Sequence, residues 1–125
     1  MRFVVQEHDA STHHFDLRLE MDDVAKSWAV PKQIPEKQGE KRLAIQTADH
    51  DIGYMQFEGT IPEGAYGAGE VSIWDEGDYE LLKREDDEIK FDLHGKRLKG
   101  RYVGGPFTTD GHCSWCRLTG QDFRP

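Results

Sequence analysis

The chain has 125 residues, of which 36% are hydrophobic and 32% are charged, and its formal net charge at pH 7 is −8. This length suits one domain with a single core. The acidic balance excludes a protein that holds nucleic acid along a broad basic face, because that mode of binding needs many phosphate contacts. Any contact with nucleic acid must therefore be local.

Hydropathy and cysteine usage bear on the compartment. No apolar run approaches the roughly 20 residues that cross a bilayer, and the N-terminus does not have the pattern of a signal peptide. The two cysteines, Cys113 and Cys116, do not form the framework of a secreted disulfide scaffold. We therefore expect a cytoplasmic protein. The CxxC spacing of these thiols also occurs in zinc sites, but zinc would need further ligands, and only His94 is an obvious spare one.

Short runs rich in β-branched and aromatic residues dominate the chain, and Gly, Pro and Asp separate them. Helical periodicity is missing, and the polar segment 35–41 is expected to be a loop. This pattern favours an all-β fold, a small closed antiparallel β barrel with few or no helices, in one domain of residues 1–125. The predicted strands cover residues 2–6, 14–20, 26–30, 42–46, 55–57, 70–75, 78–83, 88–94 and 100–103.

Turn residues predict three hairpins, with turns at 21–23, 76–78 and 84–87. The glycine-rich segment 59–70 does not match a phosphate-binding loop, because no Lys follows its last Gly and a strand, not a helix, is predicted next. We expect it to be a tight connection between barrel strands.

Apolar and polar side chains alternate along the predicted strand 14–20. Successive side chains of a strand point to opposite faces, so one face belongs to the core and the other is free for chemistry. The core face carries Phe15, Leu17 and Leu19. The polar face carries His14, Asp16 and Arg18.

The imidazoles of His8 and His14 and the carboxylate of Asp16 form a candidate metal site, with the turn-prone segment 9–12 letting His8 fold back over the strand. Two imidazoles and one carboxylate leave coordination positions open, which is typical of a catalytic site. This donor set tolerates manganese, iron or zinc. The alternative is that these histidines are surface residues beside a turn.

Three further side chains are candidates for an anion site. Arg18 could hold two oxygens of a phosphate with its planar fork, or could form a structural ion pair with Asp16 or Glu20. His50 lies in a turn-rich segment, and imidazole suits general acid chemistry because its pKa is near neutrality. Lys32 follows a strand and a proline; it could neutralise phosphate charge, although a solvated surface lysine is the default interpretation.

Several runs together resemble the 3'-phosphoesterase domain of bacterial and archaeal DNA ligase D. They match that family in order and extend over about residues 3–103, which is far more specific than an isolated HxD motif. The runs are residues 3–10, 13–20, 28–32, 50–54, 57–59, 61–69 and 74–77.

The resemblance implies a manganese-dependent β barrel that trims the 3' end of a nucleic-acid strand. A phosphodiesterase step would remove a terminal ribonucleoside, and a phosphomonoesterase step would clear the remaining 3'-phosphate to leave a 3'-hydroxyl for break repair. The implied partners are primer-template 3' ends in DNA or RNA-containing strands, and a ligase, a polymerase or an end-binding repair protein. We expect a stand-alone monomer that does not bind membranes.

The resemblance also implies a role for individual residues. The implied metal ligands are His8, His14 and Asp16. The implied phosphate-binding and catalytic positions are Arg18, His50, Lys32 and Tyr54.

Two other functions remain open at this point. A cupin-like metal oxygenase would also place two histidines and a carboxylate in a β barrel, but it gives Arg18, Lys32 and His50 no common purpose. A non-catalytic module that binds nucleic-acid ends predicts affinity for phosphate without turnover.

Overall fold

The computed structural model describes residues 1–64, 68–85, 88–105 and 117–123 and is built almost entirely of antiparallel strands. A 3-10 helix covers Ile52–Gln56. The strands are β1 (Arg2–Asp9), β2 (His14–Met21), β3 (Val24–Val30), β4 (Lys41–Leu43), β5 (Ile45–His50), β6 (Gly59–Ile61), β7 (Gly69–Arg84), β8 (Ile89–Gly95), β9 (Lys99–Gly105) and β10 (Arg117–Phe123).

The strands form one sheet that curls into a nearly closed barrel. Their order is β4-β10-β9-β8-β7-β1-β2-β3-β5, and β6 pairs with β7 outside this path. The two end strands, β4 and β5, are consecutive in the chain, and only Ala44 separates them. The sheet must therefore bend until its ends meet, which confirms the predicted small antiparallel β barrel.

The barrel interior is the main core, and a smaller apolar cluster lies on the other face of the sheet. The interior is filled by side chains such as Phe3, Leu17, Leu19, Phe91, Leu93, Leu98 and Tyr102. The smaller cluster consists of Val4, Ala25 and Met55, with Ile73 packed against it. Because Met55 comes from the 3-10 helix, this cluster fixes the helix against the outside of the barrel wall.

The turn between β2 and β3 confirms the hairpin predicted at 21–23. Asp22 and Asp23 have φ values of 56° and 63°. A two-residue turn with positive φ at both positions matches the right-handed twist of the strands it joins. The hairpin predicted at 84–87 also agrees with the structure, since β7 ends at Arg84 and pairs with β8.

The turn predicted at 76–78 is wrong, because β7 continues through it from Gly69 to Arg84. Gly77 lies where β7 is paired with both β1 and β8. A Cβ atom at Gly77 would lie 2.2 Å from the carbonyl oxygen of His94. The glycine therefore marks a close approach of two backbones inside the sheet and does not mark a turn.

Four other segments also differ from the prediction. The segment 59–70, expected to be a tight connection, contains the strand β6 (Gly59–Ile61), which pairs with β7. The predicted strand 55–57 is wrong: the chain forms the 3-10 helix there, with Met55 buried. The predicted strand 42–46 is divided at Ala44 into β4 and β5. Strand β10 was not predicted at all, since its partners β4 and β9 are distant in sequence. Cys113 and Cys116 lie outside the described residues.

Asp75 fixes the turn that joins β8 to β9. Its side chain is buried and accepts hydrogen bonds from four backbone N–H groups. The donors are Glu76, Lys96, Arg97 and Leu98. One carboxylate thus satisfies most of the donors of a tight turn at the end of the barrel.

Replacing Asp75 by Ala should lower the free energy of unfolding by about 3 kcal/mol, because the buried N–H of Leu98 loses its acceptor. Urea denaturation measures this change. Asp78→Ala, at an exposed position of the same strand, is the control and should change stability by less than about 0.5 kcal/mol. Equal stability of the two variants would contradict the role of Asp75.

Candidate active site

A polar cleft of about 600 Å³ lies on the outer face of the barrel wall. Its floor comes from β1, β2 and β3, and its sides come from the loop between β1 and β2, from the end of β5 and from the 3-10 helix. The lining residues are His8, Ala10, Ser11, Thr12, His14, Asp16, Arg18, Ala29, Thr47, Ala48, Asp49, His50, Tyr54 and Ile61.

The alternation predicted for β2 is confirmed and explains why this cleft is polar. The apolar side chains of β2 are buried in the barrel interior: Phe15, Leu17 and Leu19. The polar side chains of β2 line the cleft on the other face: His14, Asp16 and Arg18. A single strand therefore supplies both the core and the floor of the site.

The structure brings the three candidate metal ligands together. In the β1–β2 ladder His8 lies directly opposite His14, and Asp16 follows two residues later on the same face. One donor atom from each of the three residues lies within 4.8 Å of the other two. The hairpin between β1 and β2 thus creates the cluster without any contribution from a distant part of the chain.

Hydrogen bonding fixes which nitrogen of His14 is available to a ligand. Nδ1 lies 3.0 Å from the carbonyl oxygen of Thr12, which can only accept, so Nδ1 carries the proton. In the neutral ring Nε2 then directs its lone pair at Asp16 Oδ1, 3.3 Å away. Two such acceptors face each other favourably only with a proton or a cation between them. This donor set therefore fits a divalent metal, with Thr12 orienting the ring as outer-shell partners do.

The same contacts shift the pKa values of the cluster. Burial acts to raise the pKa of Asp16, but the His14 hydrogen bond and the Arg18 charge outweigh it and lower that pKa. The hydrogen bond to Asp16 raises the pKa of His14 against the effect of burial. Asp16 is therefore an ionised acceptor at neutral pH, whereas His14 holds its proton more firmly than a free imidazole does.

Arg18 is buried beside this cluster, and its guanidinium is held from several sides. Nε donates to Gln6 Oε1 at 2.6 Å, and Nη1 donates to Ser27 Oγ at 2.7 Å. Nη2 lies 3.5 Å from Asp16 Oδ2. The sequence left two roles open for Arg18, binding of a phosphate and a structural ion pair. In the structure Arg18 contacts Asp16 and also lines the cleft.

His50 and Tyr54 complete the cleft next to Arg18. The ring of His50 stacks on the ring of Tyr54 with centroids 4.8 Å apart, and the Arg18 guanidinium lies 4.8 Å from the Tyr54 centroid. His50 Nδ1 is 3.1 Å from Arg18 Nη1. His50 Nδ1 also lies 3.1 Å from the carbonyl oxygen of Ala48, which can only accept, whereas the guanidinium can only donate, so the two contacts require opposite tautomers of the neutral ring. Burial and then the Arg18 charge lower the pKa of His50, so the ring is neutral at neutral pH.

Lys32 is not brought to the cleft. It is exposed after the end of β3 and does not line the cleft in the part of the chain that the structure describes. Its catalytic role stays a prediction.

Sequence reasoning missed the two residues that orient Arg18. Gln6 is fully buried, and its amide also donates to the carbonyl oxygens of Tyr54 and Phe57. Ser27 lies opposite Arg18 in the β2–β3 ladder. A signal existed for Gln6, since it is a polar residue after an apolar run and two positions before His8, hence on the same face.

These features define a class: a small antiparallel β-barrel domain with a His-His-Asp cluster and a buried arginine in a cleft on its outer wall. The chain belongs to the DNA Ligase D 3'-phosphoesterase domain family, whose sequence profile matches residues 6–104. None of the helices among the described residues is long and apolar enough to cross a membrane.

The curated relatives are multifunctional repair proteins from bacteria. The chain is 52% identical over 105 residues to the multifunctional non-homologous end joining DNA repair protein LigD of Mycobacterium tuberculosis, a match that covers 81% of this chain and 14% of the relative. It is 47% identical over 107 residues to the multifunctional non-homologous end joining protein LigD of Pseudomonas aeruginosa, with 82% and 13% covered. The chain thus spans about one seventh of the length of these relatives.

If the His-His-Asp cluster holds Mn²⁺, its binding should strengthen as pH rises, because a ligating imidazole must be neutral and Asp16 raises the pKa of His14. We expect affinity at least about tenfold higher near pH 8 than near pH 6, measured by isothermal titration calorimetry. His94→Ala, which removes an exposed imidazole of β8, should show the same dependence. Affinity that does not change with pH would contradict His14 as a ligand.

Proposed function

We propose that this domain is a metal-dependent 3'-end-healing phosphoesterase. It would act on DNA or RNA-containing primer-template ends, first as a phosphodiesterase that removes a 3' ribonucleoside and then as a phosphomonoesterase that leaves a 3'-hydroxyl. Membership of the family supports the reaction class. The geometry of the cleft supports a phosphate substrate, because it places groups suited to a cation next to groups suited to an anion.

The donor set fits a divalent transition metal, and Mn²⁺ is the ion that we propose. His8, His14 and Asp16 would hold it, leaving coordination positions open for water and substrate. The ion, when bound, supplies Lewis acidity toward a phosphate oxygen and lowers the pKa of water.

Arg18 would bind the non-bridging oxygens of the phosphate. Its guanidinium is fixed before substrate arrives, because Gln6 and Ser27 hold it in one orientation. A donor that is already oriented and shielded from water stabilises the charge that grows in phosphoryl transfer without having to reorganise. The contact between Arg18 and His50 keeps both groups on the same side of the phosphate.

His50 would donate from Nε2 to a phosphate oxygen or to the leaving oxygen. Arg18 and the carbonyl oxygen of Ala48 both contact Nδ1, so Nε2 is the nitrogen that would face the substrate. Tyr54 supports this ring by stacking on it. To protonate the leaving oxygen the ring would have to be an imidazolium, which the lowered pKa of His50 disfavours, so the neutral ring is suited to donating a hydrogen bond to a phosphate oxygen.

The observation that carries the proposal is the distance between the two halves of the site. The Arg18 guanidinium lies 3.5 Å from Asp16 Oδ2, a donor atom of the His-His-Asp cluster. A phosphate bound beside Asp16 would meet both the guanidinium and a cation held by the cluster. A metal oxygenase would have no use for this arrangement, whereas a non-catalytic end-binding module would, so turnover must be tested directly.

The context that we propose is DNA break repair in the cytoplasm, with a ligase, a polymerase or an end-binding protein as partners and the domain itself a monomer. The names of the relatives, which refer to non-homologous end joining, support this context.

A primer-template carrying either a 3'-phosphate or one 3' ribonucleotide, incubated with the protein and Mn²⁺ and resolved on a gel, tests the proposal. Shortening or dephosphorylation of the strand supports it. Binding of the end without any change to the strand would show a non-catalytic module. If the protein neither binds the end nor changes the strand, the proposed function is refuted.

His14→Ala should reduce Mn²⁺-dependent release of the 3'-phosphate at least about 100-fold, because it removes a ligand of the proposed metal. Initial rates of phosphate release measure the loss. His94→Ala should keep the wild-type rate, since that imidazole is exposed on β8. Full activity together with full metal affinity in His14→Ala would exclude His14 as a ligand.

A further inference from the structure

The ladder between β3 and β5 contains a bulge just before His50. Ser27 pairs with Thr47, and the next pair is Ala25 with His50. Between these pairs β3 has one residue, Lys26, whereas β5 has two, Ala48 and Asp49. One residue of β5 is therefore unpaired, which is the definition of a β-bulge.

This bulge decides the face on which His50 lies. In a regular ladder that starts from the Ser27–Thr47 pair, His50 would lie opposite Val24. Val24 is three residues from Ser27, so the two side chains point to opposite faces of the strand. His50 would then share the face of Val24, which is the face of the barrel interior. With the bulge, His50 lies opposite Ala25, on the same face as Ser27 and Arg18.

An ion pair bridges the two strands at the bulge. Lys26 is the residue opposite the bulge, and its Nζ donates to Asp49 Oδ2 at 3.0 Å. The Lys26 side chain is only 5% exposed, whereas that of Asp49 is 36% exposed. The ammonium thus comes from the rigid interior of the wall and holds the bulge residue that directly precedes His50.

The burial of the Lys26 ammonium is unfavourable in itself and has to be explained. Removing an ammonium from water costs free energy that an ion pair often does not recover, so stability alone does not explain the pair, and in some proteins such pairs fix a geometry. The geometry fixed here is the backbone of the bulge, and the residue that depends on it is His50.

We infer that Lys26 and Asp49 are positioning residues for His50. They hold the bulge of β5 in the form that keeps the His50 ring against Arg18 and Tyr54. Lys26 does not line the cleft; Asp49 lines it beside His50 but is given no contact with the phosphate or the metal ligands in this scheme. The inference rests on the proposed function for its effect on turnover, but not for its effect on the position of the His50 ring.

Three variants test the inference. Lys26→Met removes the ammonium and keeps most of the buried stem, Asp49→Asn removes the partner charge at a half-exposed position, and Lys26→Arg keeps the charge. Lys83→Met is the matched control, since Lys83 forms an ion pair of 2.7 Å with Glu88 at the far end of β7.

We expect Lys26→Met and Asp49→Asn to lower kcat for release of a 3'-phosphate about tenfold or more, because a small displacement of a catalytic group is costly. KM and Mn²⁺ affinity should change by less than about twofold. Lys26→Arg should recover most of the rate, and Lys83→Met should behave as wild type. A variant that combines Lys26→Met with Asp49→Asn should lose no more kcat than the single variant with the larger loss, since the two residues act as a pair.

The position of the ring is read independently of activity from the nuclear Overhauser effect between the His50 and Tyr54 rings, whose centroids are 4.8 Å apart. It should weaken in Lys26→Met and Asp49→Asn and persist in Lys83→Met. If the wild-type protein releases no phosphate, the proposed function fails and this measurement alone decides the inference. If Lys26→Met does not fold, Asp49→Asn decides it. An unchanged ring contact or an unchanged kcat in a folded variant overturns the inference.

Discussion

The register of the β1–β2 hairpin is the constraint on which the site depends. It sets His8 opposite His14 and Gln6 opposite Asp16. Because side chains of a strand alternate between faces, a shift of one residue in β2 would send its polar side chains into the barrel. The register is held by the apolar side chains of β2, each of which gains roughly 1.5 to 3 kcal/mol from burial. Hydrophobic packing inside the barrel thus sets the geometry of charges outside it.

The electrostatics of the cleft are local, in contrast to the acidic chain as a whole. Arg18 is buried and contacts Asp16, Gln6, Ser27 and His50. A guanidinium shielded from solvent acts strongly over a short range, whereas exposed charges are screened within about 10 Å. Under the proposed function, a protein of net charge −8 would hold one phosphate without attracting the length of a nucleic acid.

Sequence predicted the features that depend on neighbours in the chain. The alternation of β2 and the turn at Asp22 and Asp23 are local, and so is the cluster of His8, His14 and Asp16 on one hairpin. The glycine at position 77 was misinterpreted as a turn residue, because what requires a glycine there is the close backbone of His94, which is distant in sequence.

Long-range pairing explains what the sequence could not predict about the site. Arg18 meets Ser27 across the local β2–β3 hairpin, but it meets His50 through β5, and the bulge that places His50 depends on the pairing of β5 with β3. Strand β10 pairs with β4 and β9, and nothing in its own sequence identifies these partners. Such contacts are decided by the closure of the barrel, which no local pattern encodes.

Because the cleft lies on the outside of the wall, odd and even positions of β2 are subject to separate selection. Under the proposed function, a change at His14 or Asp16 would alter the chemistry and leave no hole in the interior, whereas a change at Phe15 or Leu17 would alter packing and leave the polar groups of the cleft in place. Mutational tolerance along this strand should therefore alternate between loss of activity and loss of stability. An enzyme with this layout can acquire a new specificity without rebuilding its core.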